Sequence, residues 1–230
     1  MPTNIRVGIL DDHQLVVDGY VSRLKNKPNI FVEATVTYGE ELEGMLSQHE
    51  LDILILDVTV PISPSSDNPY PILHEIPKIL RNYPKIAIIV ITMHNQKTLI
   101  ESVMQAGASG FILKDDRKSM LRLGDIISSV ASGGIFFSER AYQLLNGKVN
   151  QDYRELTERQ KEVLSLLASQ PNSTTAELAK QLDVAPSTVR NLLSDSYVRL
   201  KVNNKTAAIV EARNLGLITP YSEGASIADL

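Results

Sequence analysis

The chain has 230 residues, 43% hydrophobic and 22% charged, with a formal net charge of −4. That length accommodates two domains or one large one, in the composition of an ordinary soluble globular protein. Cysteine is absent, which excludes a disulfide framework, thiolate metal sites and a cysteine nucleophile.

The start MPTNIRVG lacks the apolar stretch of a signal peptide. The longest apolar run, around residues 86–93, is far short of the roughly 18 residues of a membrane span. A cytoplasmic protein without membrane contact is therefore expected. Charge is spread unevenly but mildly: residues 1–151 carry 14 Lys+Arg against 17 Asp+Glu, residues 152–218 carry 9 against 8, and the tail has Glu223 and Asp229. So weak an asymmetry does not by itself announce a nucleic-acid partner.

In chain order, Ile5–Leu10 is an apolar strand that stops at Asp11 and Asp12. Leu15, Val16, Tyr20, Val21 and Leu24 recur at helical spacing over Gln14–Leu24. A second strand at Ile30–Val36 and a second helix at Glu40–Gln48 follow. The run ILILDVTVP, from Ile53 to Pro61, reads as a strand buried on both faces. A carboxylate does not belong inside such a strand, so Asp57 is expected at its C-terminal end, where open α/β sheets bind ligands. The stretch 61–71, PISPSSDNPYP, has four prolines and predicts a long surface loop, neither helix nor central strand. Ile72–Leu80 then predicts a helix, Ala87–Ile91 a strand, Lys97–Ala106 a helix, Gly110–Leu113 a strand and Leu121–Val130 a helix. Five βα units in succession imply a doubly wound, five-stranded parallel sheet of flavodoxin-like α/β class.

The strand ends carry the chemistry. The first strand stops at Asp11 and Asp12, the third at Asp57, the fourth at Thr92 and the fifth at Lys114. Parallel strands put all of these at one edge of the sheet. Three carboxylates and an ammonium gathered there suit a hard divalent cation such as Mg and a phosphoryl group. Without a cation, crowding would raise at least one carboxyl pKa.

The segments ILDDHQLVVDG, ILDVTVP, VITMH and AGASGFILK resemble the receiver domains of bacterial response regulators over about residues 4–132. The resemblance implies that Asp57 is the phosphoacceptor and that Mg is held by Asp11, Asp12, Asp57 and the carbonyl of Thr59. Thr92 would bind the phosphoryl group, Lys114 would pair with it, and Thr92 with Phe111 would form the switch, the ring rotating from exposed to buried. Two departures from the family pattern stand out. The loop after Asp57 is several residues longer and lacks the usual glycine, and Asp115 occupies a common proline position.

The period changes beyond Ser132-Gly133-Gly134. Ser138–Leu145 predicts a short helix, and 147–153, GKVNQDY, a polar linker. Thr157 with Gln160 and Thr174 with Glu177 are capping boxes, and Pro186 sits where a first helical residue belongs. The helix Pro186–Leu200 keeps Val189, Leu193, Ser196 and Leu200 on one face and presents Ser187, Arg190, Asn191 and Ser194 on the other. Two helices joined by a short turn, the second showing small polar and basic side chains, is helix-turn-helix geometry. LTERQKEVLSLLA, AELAKQL, STVRNLLSDSYVRLKV and TAAIVEA look like the all-α four-helix LuxR-type DNA-binding domain over about residues 154–218. The resemblance implies base contacts from Arg190 and Asn191, and phosphate contacts from Ser187, Thr188, Lys201 and Lys205. Here Ala185 replaces a common capping Ser, and Leu192 a common His.

The expected organisation is a receiver at 1–132, a linker with a short helix at 133–153, a helix-turn-helix domain at 154–218 and a flexible tail at 219–230. As a whole the chain resembles the NarL/FixJ class, two-component response regulators that control transcription. The expected partners are a sensor histidine kinase, operator DNA and, on activation, a second copy of the chain. The alternative is a DNA-binding regulator whose receiver works without phosphorylation because the 61–71 loop closes the pocket. A phosphohydrolase would need a second acid two residues after Asp57. Thr59 stands there instead, so no enzyme is expected beyond the chemistry at Asp57 itself. A pure protein-binding module is the remaining rival.

Overall fold

The computed structural model describes residues 4–146 and 156–220; the predicted linker 147–153 and most of the predicted tail lie outside them. The first domain runs β1 (Ile5–Leu10), α1 (Gln14–Leu24), β2 (Ile30–Val36), a 3-10 turn at Gly39–Glu41, α2 (Leu42–Gln48) and β3 (Ile53–Leu56). After these come β4 (Pro61–Ser63), β5 (Ser66–Pro69), α3 (Ile72–Asn82), β6 (Ala87–Thr92), α4 (Lys97–Gln105) and β7 (Gly110–Leu113). It ends with α5 (Arg117–Leu121), α6 (Leu123–Ala131), β8 (Phe136–Phe137) and α7 (Glu139–Asn146).

The main sheet is parallel, in the order β2-β1-β3-β6-β7-β8. Every residue of β3 is fully buried. Its side chains alternate, Ile53 and Ile55 packing with α1 and α6 residues on one face, Leu54 and Leu56 with α2, α3 and α4 residues on the other.

Three features differ from the sequence expectation. The sheet has six strands, because Phe136 and Phe137, inside the stretch expected to be linker, pair with Gly110 and Phe111. Behind this strand α7 packs on α4 and β7, burying Ala141. The helix expected from Leu121 begins at Arg117, capped by the Asp116 side chain on Ser119 N (3.1 Å), and is interrupted at Arg122. Lastly, the proline-rich stretch is an antiparallel hairpin, with Pro61 opposite Pro69 and Ser63 opposite Ser66. Proline is tolerated there because both sit at strand ends, away from the main sheet. Tyr70 N donates to Val60 O (2.8 Å), and the Tyr70 ring covers Gly39, where a Cβ would come within 2.1 Å of it. Only glycine fits that turn.

The second domain comprises α8 (Glu158–Ser169), α9 (Thr175–Gln181), α10 (Pro186–Leu200) and α11 (Lys205–Asn214). Both capping boxes form: Thr157 and Gln160 bond reciprocally, as do Thr174 and Glu177. Val163, Leu167, Leu178, Val189, Leu193 and Ala212 share one small core. Thr219 and Pro220, expected in the flexible tail, are buried.

The domains touch. Ser169 Oγ, at the end of α8, lies 3.0 Å from both Pro69 O of the hairpin and Ser165 O of its own helix, the two carbonyls sharing its one hydrogen. His74 Nδ1 of α3 lies 3.3 Å from Glu162 Oε1 of α8. Gly216, with φ of +66°, lies so close to α4 that a Cβ there would come within 3.0 Å of the Leu99 amide nitrogen.

Burial pushes the His74 imidazole below its ordinary pKa, with the Lys78 and Arg81 charges adding to this and Glu75 and Glu162 opposing it. A histidine whose pKa is lower docked than undocked favours docking while neutral. That stabilisation is present above the undocked pKa, about 6.5, and is lost as pH falls through the depressed docked value. Acidification below the undocked value should therefore loosen the domain contact. Small-angle scattering would show a rising radius of gyration, and His74→Gln should flatten the pH profile.

Candidate functional site

Strand register brings the predicted residues level. Leu10 pairs with Leu56, Leu56 with Val90, and Thr92 with Leu113, so Asp11, Asp57, Thr92 and Lys114 all fall at the C-terminal rim of the sheet. Backbone bonds fix this rim: Asp57 N to Leu10 O (2.9 Å), Asp11 N to Val36 O (3.2 Å) and Lys114 N to Thr92 O (2.9 Å).

Lys114 Nζ bridges Asp11 Oδ2 at 2.8 Å and Asp57 Oδ2 at 2.7 Å. Asp11 Oδ1 accepts from His13 N at 3.0 Å, turning the chain into α1. Thr92 is fully buried, and its hydroxyl accepts from His94 N (3.4 Å). The Thr59 hydroxyl lies 3.5 Å from Asp57 Oδ2.

Asp57 Oδ1 is buried and has no hydrogen-bond partner. An orphaned carboxylate oxygen is costly in a protein interior unless a cation answers it. Asp11, Asp12, His13 and Asp57 can each turn a ligand atom to within 4.8 Å of the others. This oxygen-rich donor set, with its unanswered oxygen, fits a hard divalent cation. The cluster opens to solvent on one side, where the Asp12 and Lys114 side chains remain 20% and 11% exposed.

Charge at the site follows from burial. Burial raises the Asp11 carboxyl pKa and Asp57 adds to it, while Lys114 opposes. For Lys114, burial pulls the ammonium pKa down, but Asp57 and Asp11 together outweigh it and the net shift is upward. Lys114 thus stays cationic at neutral pH. Burial, then the negative charges of Asp11 and Asp57, raise the Tyr20 phenol, whose hydroxyl is itself buried without a partner.

Two residues at the site escaped the sequence reading. His13 Nδ1 lies 2.8 Å from Asp12 Oδ1, and its place directly after two acids was the available signal. Tyr20 could be read only as a helix-face apolar residue. Phe111 also differs from expectation: the ring is fully buried among Leu99, Val103, Leu113 and Ala141, with the added strand and α7 beside it. The outward position is not seen.

In the second domain α9 and α10 form the predicted helix-turn-helix. Val189, Leu193, Ser196 and Leu200 face inward, while Ser187, Thr188, Arg190, Asn191 and Ser194 are exposed. Ala185 makes no side-chain cap, and Pro186 occupies the first turn, where its missing N–H costs nothing. Lys201 ends α10 in the left-handed conformation (φ 58°). The Lys205 ammonium donates to the Pro171 carbonyl.

A parallel α/β domain with an acid-lysine cluster at its strand ends, joined to a helix-turn-helix, defines a receiver coupled to a DNA reader. Residues 7–123 match the response regulator receiver domain family, and residues 154–212 match the luxR family of bacterial regulatory proteins. The chain belongs to the bacterial response regulators with a luxR-type domain, and is a DNA-binding transcription regulator.

Among its relatives, it is 27% identical to the transcriptional regulatory protein LnrK of Bacillus subtilis, over 93% of this chain and 98% of that one. It is 29% identical to UhpA of Escherichia coli, over 87% and 93%. Its fold is similar to the solved RcsB response regulator of Salmonella typhimurium, at TM-score 0.56 and 26% identity, over 90% of this chain and 97% of that one. No helix among the described residues is long and apolar enough to cross a membrane.

Proposed function

We propose that Asp57 accepts a phosphoryl group from the phosphohistidine of a sensor kinase, and that this controls dimerisation and operator binding. The observation that carries this reading is the buried, unpartnered Asp57 Oδ1, set beside an Oδ2 held by Lys114. Asp11, Asp12, Asp57 and the Thr59 carbonyl would hold Mg, which when bound neutralises charge on the transferring group.

The protein's own part is positioning. An Asp57 carboxylate oxygen attacks phosphorus, the donor's N–P bond breaks, and the imidazole leaves. Lys114 answers negative charge on the equatorial oxygens, and the Thr92 hydroxyl supplies a hydrogen bond to one of them. A neutral acyl carboxyl replaces the carboxylate that had paired with Lys114, so the lysine follows the charge to the phosphoryl oxygens. Thr92 would follow too, and Phe111 is already in the inward position such a shift favours. The exposure of Asp12 and Lys114 speaks against a pocket sealed by the hairpin.

Sizing by sedimentation with Mg and a small phosphodonor tests this reading. Conversion to a dimer, with a mass gain of one phosphoryl group per chain, supports it. An unlabelled monomer under those conditions would refute it.

At the DNA, α10 would enter the major groove with Arg190 and Asn191 on base edges, while Ser187, Thr188, Ser194, Lys201 and Lys205 line the backbone. Lys205 would first exchange its Pro171 carbonyl for a phosphate. Arg190→Ala should weaken operator binding by about 1–3 kcal/mol, roughly 5- to 150-fold, and relax base preference at one position. Binding titrations against operator and single-base variants would show this. Equal weakening on all sequences would make Arg190 a phosphate contact instead.

A further inference from the structure

We propose that Tyr20 is a positioning residue of the phosphoryl site: its phenol takes over Asp11 Oδ2 when Lys114 leaves that oxygen for the phosphoryl group. The proposal rests on the reading of Asp57 given above and concerns how the same site holds its charged form.

Strand alternation puts Tyr20 in the layer of the acids. Val7 and Ile9 of β1, Ile53 and Ile55 of β3 and Ile112 of β7 face the core shared with α1 and α6. The ladder continues past each strand end, through Asp11 N to Val36 O, Asp57 N to Leu10 O and Lys114 N to Thr92 O. Counting by twos, Asp11, Asp57 and Lys114 therefore fall on that same face, at the C-terminal rim. Helix α1 starts three residues after Asp11, and its buried residues are Val17, Tyr20 and Leu24. Of these only Tyr20 carries a polar side-chain atom. Side chains on a helix lean toward its N-terminus, so from the second turn the phenol is aimed back at the rim.

The phenol is held ready as a donor. Tyr20 is 3% exposed, and its hydroxyl is buried without a partner. Burial, then the charges of Asp11 and Asp57, keep the proton on the oxygen. Among the described residues of the receiver, the other buried side-chain atoms without partners are Asp57 Oδ1 and Gln96 Oε1, both acceptors. An unpaired buried hydroxyl destabilises the resting fold. A second state of the site that uses it offsets this cost.

Phosphorylation creates such a state. At rest Lys114 Nζ serves Asp11 Oδ2 at 2.8 Å and Asp57 Oδ2 at 2.7 Å. Once the lysine follows the charge to the phosphoryl oxygens, Asp11 keeps the His13 N–H, 3.0 Å from Oδ1, and the cation it helps to hold. Its side chain is 1% exposed, so bulk water does not reach the vacated oxygen. Tyr20 can donate there, and a hydrogen bond to a charged acceptor is of the stronger kind. The phenol keeps its proton throughout and takes no part in the transfer itself. Its effect is to favour the arrangement with Lys114 on the phosphoryl group over the resting one.

Tyr20→Phe removes the hydroxyl and keeps the ring. In the full-length chain, titration calorimetry gives the affinity for Mg alone and, with Mg saturating, for the phosphoryl mimic beryllofluoride. The expected result is beryllofluoride affinity lowered about tenfold, with Mg affinity unchanged and the melting temperature of the ligand-free chain unchanged or higher. With 3-fluorotyrosine in place of the eight tyrosines, the fluorine resonance missing from the variant identifies Tyr20. That resonance should shift with beryllofluoride and Mg, and stay in place with Mg alone.

Equal beryllofluoride affinity in the two proteins would overturn the role of Tyr20 while leaving Asp57 as acceptor. A lowered melting temperature, or Mg affinity falling as far as beryllofluoride affinity, would overturn it too, since the phenol would then support the resting site. No beryllofluoride binding and no phosphoryl uptake by the native chain would remove the reading of Asp57 and this proposal with it.

Discussion

Asp57→Asn should abolish phosphoryl uptake while leaving the fold intact. The amide is nearly isosteric with the carboxylate and keeps an oxygen for Lys114 Nζ, which stands 2.7 Å from Asp57 Oδ2 in the native chain. It lacks the charge to attack phosphorus and the anionic oxygen to hold a cation. Lys114 keeps a full carboxylate partner in Asp11 at 2.8 Å, so the variant avoids an unpaired buried ammonium. The burial of Asp57 Oδ1 without a partner means the native acid is itself costly in the absence of a cation, and stability should change little. Intact mass after incubation with a small phosphodonor and Mg is the measurement, alongside a thermal melt. Retained labelling would move the acceptor to another residue.

Lys114→Met should produce the largest loss of stability. The side chain is 11% exposed and bridges two carboxylates that are 1% and 3% exposed. Its removal leaves both acids buried without a cation, a change of about 3–5 kcal/mol. For a domain of this size that lowers the melting temperature by roughly 10–20 °C.

The pH dependence has a definite sign. Burial already raises the Asp11 carboxyl and Lys114 opposes it, so without the lysine the folded value climbs further. A carboxyl whose folded pKa is raised contributes stability at low pH and loses it as pH rises through that value. The deficit should be worst in alkaline buffer and shrink on acidification. Mg should restore much of it, since a ligand that binds only the folded form stabilises by RT ln(1+[L]/Kd). Melts of both proteins with and without Mg decide the matter. A deficit that Mg leaves untouched would show that the acids do not hold the ion.

Much of the site was legible because parallel topology puts all strand ends at one edge of the sheet. Asp11, Asp57, Thr92 and Lys114 each end or follow an apolar run, and the observed order β1-β3-β6-β7 makes those ends neighbours. The helix-turn-helix was legible for a local reason: capping boxes, Pro186 and helical spacing are signals within a few residues. The hairpin was not. Its two strands, Pro61–Ser63 and Ser66–Pro69, are too short and too polar to show alternation, and four prolines argued for a loop. Nor did Phe136-Phe137 announce a strand, since two residues carry no period and the pair exists only because β7 offers an open edge.

The sequence by itself determined the two domain types, the strand-end cluster and the exposed face of α10, since each rests on periodicity, capping or strand termination along a short stretch of chain. Tertiary structure alone decided that Asp57 Oδ1 is left unanswered, that Phe111 lies buried with the added strand and α7 beside it, and that the hairpin reaches Ser169 a hundred residues away. These depend on desolvation and on contacts between distant segments, and no local pattern of residues encodes either.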